Sequence, residues 1–234
     1  MSTKTLGVIG GMGPQASSSF YDILISNTKA EKDQDHIDVL LYSHASIPDR
    51  TKAILSGTSS EVVEKLVKDI KKMEHFGVDL IVLTCNTSHL FINDLEKEAS
   101  VPIISMIDET TSYLIRKKIK RVGLLATDGT IRTGIYTDKL EAAGIEVLIP
   151  ETKNQHRVMS IIYDQVKKGL PVDDDLFAEI SQELIGHEVE AIILGCTELS
   201  YYGTNKGLDD FFVNPQEILA KECILRCGGQ LVER

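Results

Sequence analysis

Cys85 and Cys196 close two segments of nearly the same wording. One is Val78-Asp-Leu-Ile-Val-Leu-Thr-Cys85-Asn-Thr-Ser88 and the other Val189-Glu-Ala-Ile-Ile-Leu-Gly-Cys196-Thr-Glu-Leu199. Each has an acidic residue, an apolar run, one loop residue, a thiol and a polar continuation. A cysteine thiol titrates near pH ~8.5, and its surroundings can lower that by several units, so it can act as a base near neutral pH. Two thiols presented from equivalent strand ends can face one carbon from opposite sides. One, as thiolate, takes the α-proton of an amino acid, and the other, as thiol, returns a proton to the opposite face. A single base serves both faces poorly, which is why the pair matters. Buried structural cysteines are the plainer reading, but Cys-Asn-Thr and Cys-Thr-Glu are unusually polar continuations for core strands.

The neighbouring residues suit a small zwitterionic ligand. The stretch after each cysteine is expected to open a helix, whose free backbone N–H groups attract anions. Asn86 and Thr87 on one side and Thr197 on the other can bind a carboxylate, cap the helix, or do both. Glu198 can hold an ammonium group, act as a proton partner for Cys196, or simply favour a helix start. Gly10-Gly-Met-Gly-Pro14 is a glycine-rich turn without the Gly-x-Gly-x-x-Gly spacing or a following Gly-Lys-Ser/Thr, so nucleotide binding is weakly supported. Its glycines let backbone approach a small ligand, with Met12 covering it. Thr127 occupies the matching turn further along and is a carboxylate candidate. His89 follows Cys85 by one helical turn, as a tuner of the thiol or a helix-surface residue. His44 is placed to line the pocket, while His36, His75, His156 and His187 have no supporting context.

These side chains need a scaffold of parallel strands. Apolar β-branched runs at Thr5–Gly10, Ile37–Tyr42, Leu80–Thr84, Pro102–Ser105, Arg121–Ala126, Ile145–Ile149, Ala191–Gly195 and Phe211–Val213 alternate with amphipathic segments. Thr58-Ser-Ser-Glu61 reads as a capping box for a helix ending at Gly77. Pro14 and Asn214-Pro215 mark two further helix starts, and Gln155–Lys168 reads as one amphipathic helix. Leu6-Gly-Val-Ile-Gly-Gly-Met-Gly13 can be laid on Val122-Gly-Leu-Leu-Ala-Thr-Asp-Gly129. The expected class is α/β, with two pseudo-symmetric domains, each a mostly parallel four-stranded sheet flanked by helices. The first spans 1–115 with 208–234 returning to it, the second 116–207. Ligands of such sheets bind beyond the carboxyl ends of the strands, so the site is expected in the cleft between the halves.

Bulk properties narrow the partners. A net charge of −10, with no basic block beyond Arg116-Lys-Lys-Ile-Lys-Arg121, makes nucleic acid a poor partner. Apolar runs are too short for a membrane span, and the N-terminus lacks a secretory h-region, so a cytoplasmic location is expected. Cys223 and Cys227, four apart on the last helix, read as buried structural residues, and no further Cys or His cluster supports a metal site.

The three stretches Gly10-Gly-Met-Gly-Pro14, Leu83-Thr-Cys-Asn-Thr87 and Leu194-Gly-Cys-Thr-Glu-Leu199 together resemble the aspartate/glutamate racemase superfamily. In wording they are similar to its aspartate racemase branch, which includes broad-specificity amino-acid racemases. The resemblance implies a two-base mechanism without pyridoxal phosphate or any other cofactor, Cys85 and Cys196 as the acid/base pair, and a homodimer. It implies ligand contacts at Met12, Asn86, Thr87, Thr127, Thr197 and Glu198. Arg50 matches the position where that branch holds the substrate's side-chain carboxylate, a task suited to a planar guanidinium. Lys167 resembles a second carboxylate contact, with adjacent Lys168 an open alternative. Together they favour aspartate. Related members include decarboxylases and cis–trans isomerases, but decarboxylation can work with one cysteine. A non-catalytic amino-acid-binding protein on this scaffold would not need both.

Overall fold

Strands that are apolar on both faces require cover on both faces, and the chain supplies helices between them. The computed structural model describes residues 4–233; residues 1–3 and 234, the extremities of the expected first half, lie outside the described residues. The strands are β1 (Leu6–Gly10), β2 (Val39–Ser43), β3 (Leu80–Leu83), β4 (Ile103–Ile104), β5 (Arg121–Leu125), β6 (Glu146–Leu148), β7 (Ala191–Leu194) and β8 (Phe212–Val213). The helices are α1 (Pro14–Asn27), α2 (Arg50–Ser56), α3 (Ser60–His75), α4 (Ile92–Glu98), α5 (Met106–Arg116) and α6 (Asp128–Arg132). They continue with α7 (Thr137–Ala142), α8 (Thr152–Ser160), α9 (Asp174–Gly186), α10 (Thr197–Lys206) and α11 (Pro215–Arg226).

Two four-stranded sheets result, in the orders β2-β1-β3-β4 and β6-β5-β7-β8. Every pairing is parallel. The same order recurs in each, so β1 matches β5 and β3 matches β7, as the internal repeat required. Side chains alternate across the pleat. Leu6, Val8, Leu80 and Val82 face a core shared with Phe20 of α1 and Leu219 and Cys223 of α11. Ile9, Ile81 and Leu83 face Leu66, Ile70 and Met73 of α3. In the second sheet Val122, Leu124 and Ile193 point one way, and Leu125, Ile192 and Leu194 point towards Ile180 and Leu184 of α9. Each such buried Leu or Ile contributes about 1.5–3 kcal/mol, so sheet faces dominate the stability of each half.

Three sequence expectations are corrected. β8 pairs with β7, so the chain leaves the second sheet at Val213 rather than at 207. What packs against α1 and α5 is α11, with Cys223 and Cys227 as free thiols in the first core. The capping box does not close: α3 starts at Ser60, its cap Ser59 has helical backbone angles and makes no side-chain bond, and the Thr58 hydroxyl pairs with that of Ser56 instead. Third, Gln155–Lys168 is not a uniform α-helix. After α8, Ile161–Gln165 winds as a π-helix and Val166–Lys168 as a 3-10 turn. The other signals hold: Pro14 and Pro215 open α1 and α11, Asn214 caps α11, and Gly77 follows α3 at φ +80°. No helix among the described residues is long and apolar enough to cross a membrane.

Candidate active site

Thr84 and Gly195 step off the equivalent strands β3 and β7, and each places a cysteine at the carboxyl edge of its sheet. Both thiols are nearly closed off from solvent and line one narrow cavity of about 10 Å³. The same wall contains Met12, Arg50, Asn86, Thr87, Thr127, Lys167, Thr197 and Glu198, so the two thiols and all eight ligand-contact candidates meet there, whereas His44 and His89 do not. A larger open vestibule of about 420 Å³ adjoins it, sharing Met12, Asp49, Arg50, Lys167 and Glu198. Close backbone approach makes this possible. Gly11 has φ +86°, and a Cβ there would lie 2.4 Å from the His44 backbone nitrogen. At Gly129 a Cβ would meet Thr51 of the other half at 2.9 Å, so this glycine lets α6 close on α2.

The two thiols have different company. Cys196 donates to Glu198 Oε2 at 2.8 Å, and Glu198 Oε1 lies 2.9 Å from Lys167 Nζ. Burial first, and then the Glu198 charge, push the Cys196 pKa well above the ordinary thiol value, and Lys167 only partly opposes this. Cys196 therefore rests protonated. Burial likewise disfavours the Lys167 ammonium, but the Glu198 carboxylate outweighs it and holds the lysine charged. The π-helical turn aims Lys167 inward, whereas Lys168 pairs with Asp164 in solvent. Lys167 also lies 5.0 Å above the Tyr163 ring, and Tyr163 donates to Asp49.

Cys85 faces a cation instead. Arg50 is buried, and its guanidinium donates to the carbonyls of Met12 and Pro48, both at 3.0 Å. Desolvation works against its charge, yet Cys85, Asp49 and Glu198 more than offset it, so Arg50 holds its proton more tightly than usual. Its Nε has no hydrogen-bond partner. Asn86 accepts from Tyr136 Oη at 2.6 Å through Oδ1, while its Nδ2 is buried without a partner. Both free donors belong to residues that line the cavity, and buried donors are seldom left unpaired. A ligand carboxylate would satisfy them.

A family model described as Asp/Glu/Hydantoin racemase matches residues 9–223. The chain belongs to this family. The broad specificity amino-acid racemase RacX of Bacillus subtilis is 28% identical over 199 residues, covering 83% of this chain and 86% of that protein. Glutamate racemase of Aquifex aeolicus is 29% identical over 147 residues, covering 57% and 53%. Among solved structures, Picrophilus torridus aspartate racemase is 35% identical with a TM-score of 0.81, covering 98% of this chain and 96% of that one. The twin parallel sheets flanked by helices are the two-domain α/β fold of these racemases.

In this family member the polar lining is more crowded than its sequence implies. Thr127 caps α6 and bonds Thr51 at 3.1 Å, and Thr87 bonds Thr130 at 2.9 Å, forming a hydroxyl cluster between the halves. Asn86 makes no side-chain cap bond, and Thr197, the first residue of α10 after its cap Cys196, donates to Glu198 Oε2 at 3.3 Å. Asp49, Thr51, Tyr136 and Tyr163 escaped notice in the sequence. Asp49 had a local signal, as the cap of α2 accepting from the Lys52 N–H. Tyr136 had none, because its partner Asn86 lies in the other half.

The racemase fold also decides His89. It is buried rather than on a helix surface: its Nδ1 lies 2.9 Å from the Cys85 carbonyl, and its Nε2 accepts the Met106 N–H at 3.0 Å. That pairing requires a neutral ring with the proton on Nδ1, and the ring fixes the Cys85 loop without touching the thiol. Burial lowers its pKa from 6.5 to about 4. An unfolded His89 binds a proton near pH 6.5 and the folded one only near pH 4, so its contribution is complete above pH 6.5. It is lost as pH falls towards 4, up to about 3 kcal/mol. Urea midpoints across that window should fall more steeply for the native protein than for His89→Gln; parallel curves would remove His89 from the acid response. His44, by contrast, faces away from the cavity lining and pairs with buried Asp69 at 2.5 Å.

Proposed function

We propose that the protein is a cofactor-independent aspartate racemase in which Cys85 and Cys196 carry protons to and from opposite faces of Cα. The observation that carries this reading is the convergence of two thiols from equivalent strand ends on one small cavity that also holds two cations. Cys196 is the proton donor at rest. Its opposite number must then act as thiolate, and Arg50 provides the counter-charge beside Cys85. For one enantiomer, Cys85 takes the Cα proton while Cys196 delivers its own to the other face; the second enantiomer runs the same steps backwards.

The substrate's α-carboxylate is assigned to the free Asn86 amide and the polar starts at Thr87 and Thr197, with Thr127 behind them. Met12 covers the bound molecule. Arg50 and Lys167, at the junction with the vestibule, are assigned to the distal carboxylate, and Glu198 lies within reach of the ammonium group. Two cations at the side-chain end favour an acidic substrate. The vestibule's size favours a second reading, in which other side chains are also accepted; RacX is named a broad specificity amino-acid racemase. L-aspartate incubated with the protein in buffer free of pyridoxal phosphate should yield D-aspartate on chiral chromatography, and persistence of pure L-aspartate would refute the reading.

A further inference from the structure

The two thiols differ in their access to a proton relay. Cys196 touches a carboxylate, and that carboxylate borders both the inner cavity and the open vestibule. Glu198 Oε2 takes the thiol's hydrogen bond. Its Oε1 is buried 2.9 Å from the Lys167 ammonium. One oxygen thus accepts from the sulfur while the other is held by a cation that borders the vestibule as well as the cavity. Lys167 keeps the carboxylate in place and balances its charge.

Cys85 has no such neighbour. Its side chain faces Arg50, and a guanidinium does not give up a proton in proteins. His89 bonds only the Cys85 backbone carbonyl, and both its ring nitrogens are occupied. Asp49 also borders both spaces, but its hydrogen bonds go to Tyr163 and to the Lys52 N–H, and none to Cys85.

We propose that Glu198 is a one-sided proton relay that exchanges the proton on Cys196 with solvent while the proton on Cys85 stays in the closed site. The inference rests on the two-thiol reading above. The exchange is a pair of balanced proton transfers. The S–H proton passes to the Glu198 carboxylate, leaving a thiolate and a carboxylic acid, and the acid yields its proton to vestibule water. The reverse steps bring back a solvent proton, and no electrons are transferred. Glu198 acts here through Cys196 rather than on the substrate carbon.

The consequence is an isotopic asymmetry between enantiomers. Aspartate carrying deuterium at Cα is turned over in ordinary water to low conversion, and the unreacted enantiomer is recovered and examined by mass spectrometry. When Cys196 is the thiol that receives the deuteron, the label is lost to solvent before it can return. When Cys85 receives it, the label goes back intact. One recovered enantiomer should therefore lose deuterium and the other keep it. In Glu198→Gln, which retains the shape but cannot carry a proton, both should keep it, whatever the remaining turnover. Equal washout of the two enantiomers in the native protein would overturn the relay while leaving racemisation standing. An unchanged asymmetry in Glu198→Gln would do the same. Absence of any racemisation would instead remove the two-thiol reading, and the relay with it.

Discussion

Replacing either cavity thiol, by Cys85→Ala or Cys196→Ala, is expected to lower racemisation of aspartate in both directions by roughly 10²–10⁴-fold. Inversion needs a base on one face and an acid on the other, and reversal exchanges their roles, so neither direction survives the loss of one thiol. Both side chains also touch the apolar core of their half, so each change costs some stability, and turnover is compared per folded molecule. Cys223→Ala provides the control. That residue is buried among Leu6, Phe20 and Leu219, so its loss should lower stability and leave turnover per folded molecule unchanged. Polarimetry of the folded fraction makes the comparison. Full activity in either cavity variant would show that the thiols are structural.

Arg50→Ala should separate acidic from neutral substrates. Removing one partner of a buried, hydrogen-bonded charge pair costs about 2–5 kcal/mol, which for a distal carboxylate means a loss of tens to thousands of fold in kcat/KM. An amino acid without that carboxylate, such as alanine, has no such bond to lose, although it still feels the missing cation beside Cys85. The decisive number is therefore the ratio of kcat/KM for aspartate to that for alanine, measured in the native protein and in the variant. A collapsed ratio supports a carboxylate clamp at Arg50. An unchanged ratio would confine Arg50 to the thiol and favour the broader substrate range.

The fold was largely legible in the sequence, because parallel strands buried on both faces leave runs such as Leu80-Ile-Val-Leu83 and Ala191-Ile-Ile-Leu194 that few other structures produce. The repeated order of the two sheets was legible for the same reason. The site residues could be read where a strand end and a polar helix start coincide, as at Cys85-Asn86-Thr87 and Cys196-Thr197-Glu198. What escaped was the set of contacts made across the halves. Tyr136 reaches Asn86, Thr51 reaches Thr127 and Tyr163 reaches Asp49, and in each pair the partners come from different domains. No local pattern records such a meeting. The π-helical turn at Ile161–Gln165 was equally hidden, since its residues are compatible with an ordinary helix, and the choice between Lys167 and Lys168 depended on it. The unequal thiols were hidden too: sequence shows two similar motifs, whereas Cys196 shares its pocket with a carboxylate and Cys85 with a guanidinium.

The central claim, inversion by two opposed proton carriers without a cofactor, is tested most directly by racemising L-aspartate in heavy water with protein freed of pyridoxal phosphate. The earliest D-aspartate is separated chirally and weighed by mass spectrometry. Two carriers on opposite faces predict that this product already holds one deuterium at Cα, because the hydrogen delivered comes from the second thiol, which exchanged with heavy water before the substrate bound and closed the site. D-aspartate that keeps its original protium would point to a single base carrying one proton from face to face, and would contradict the account.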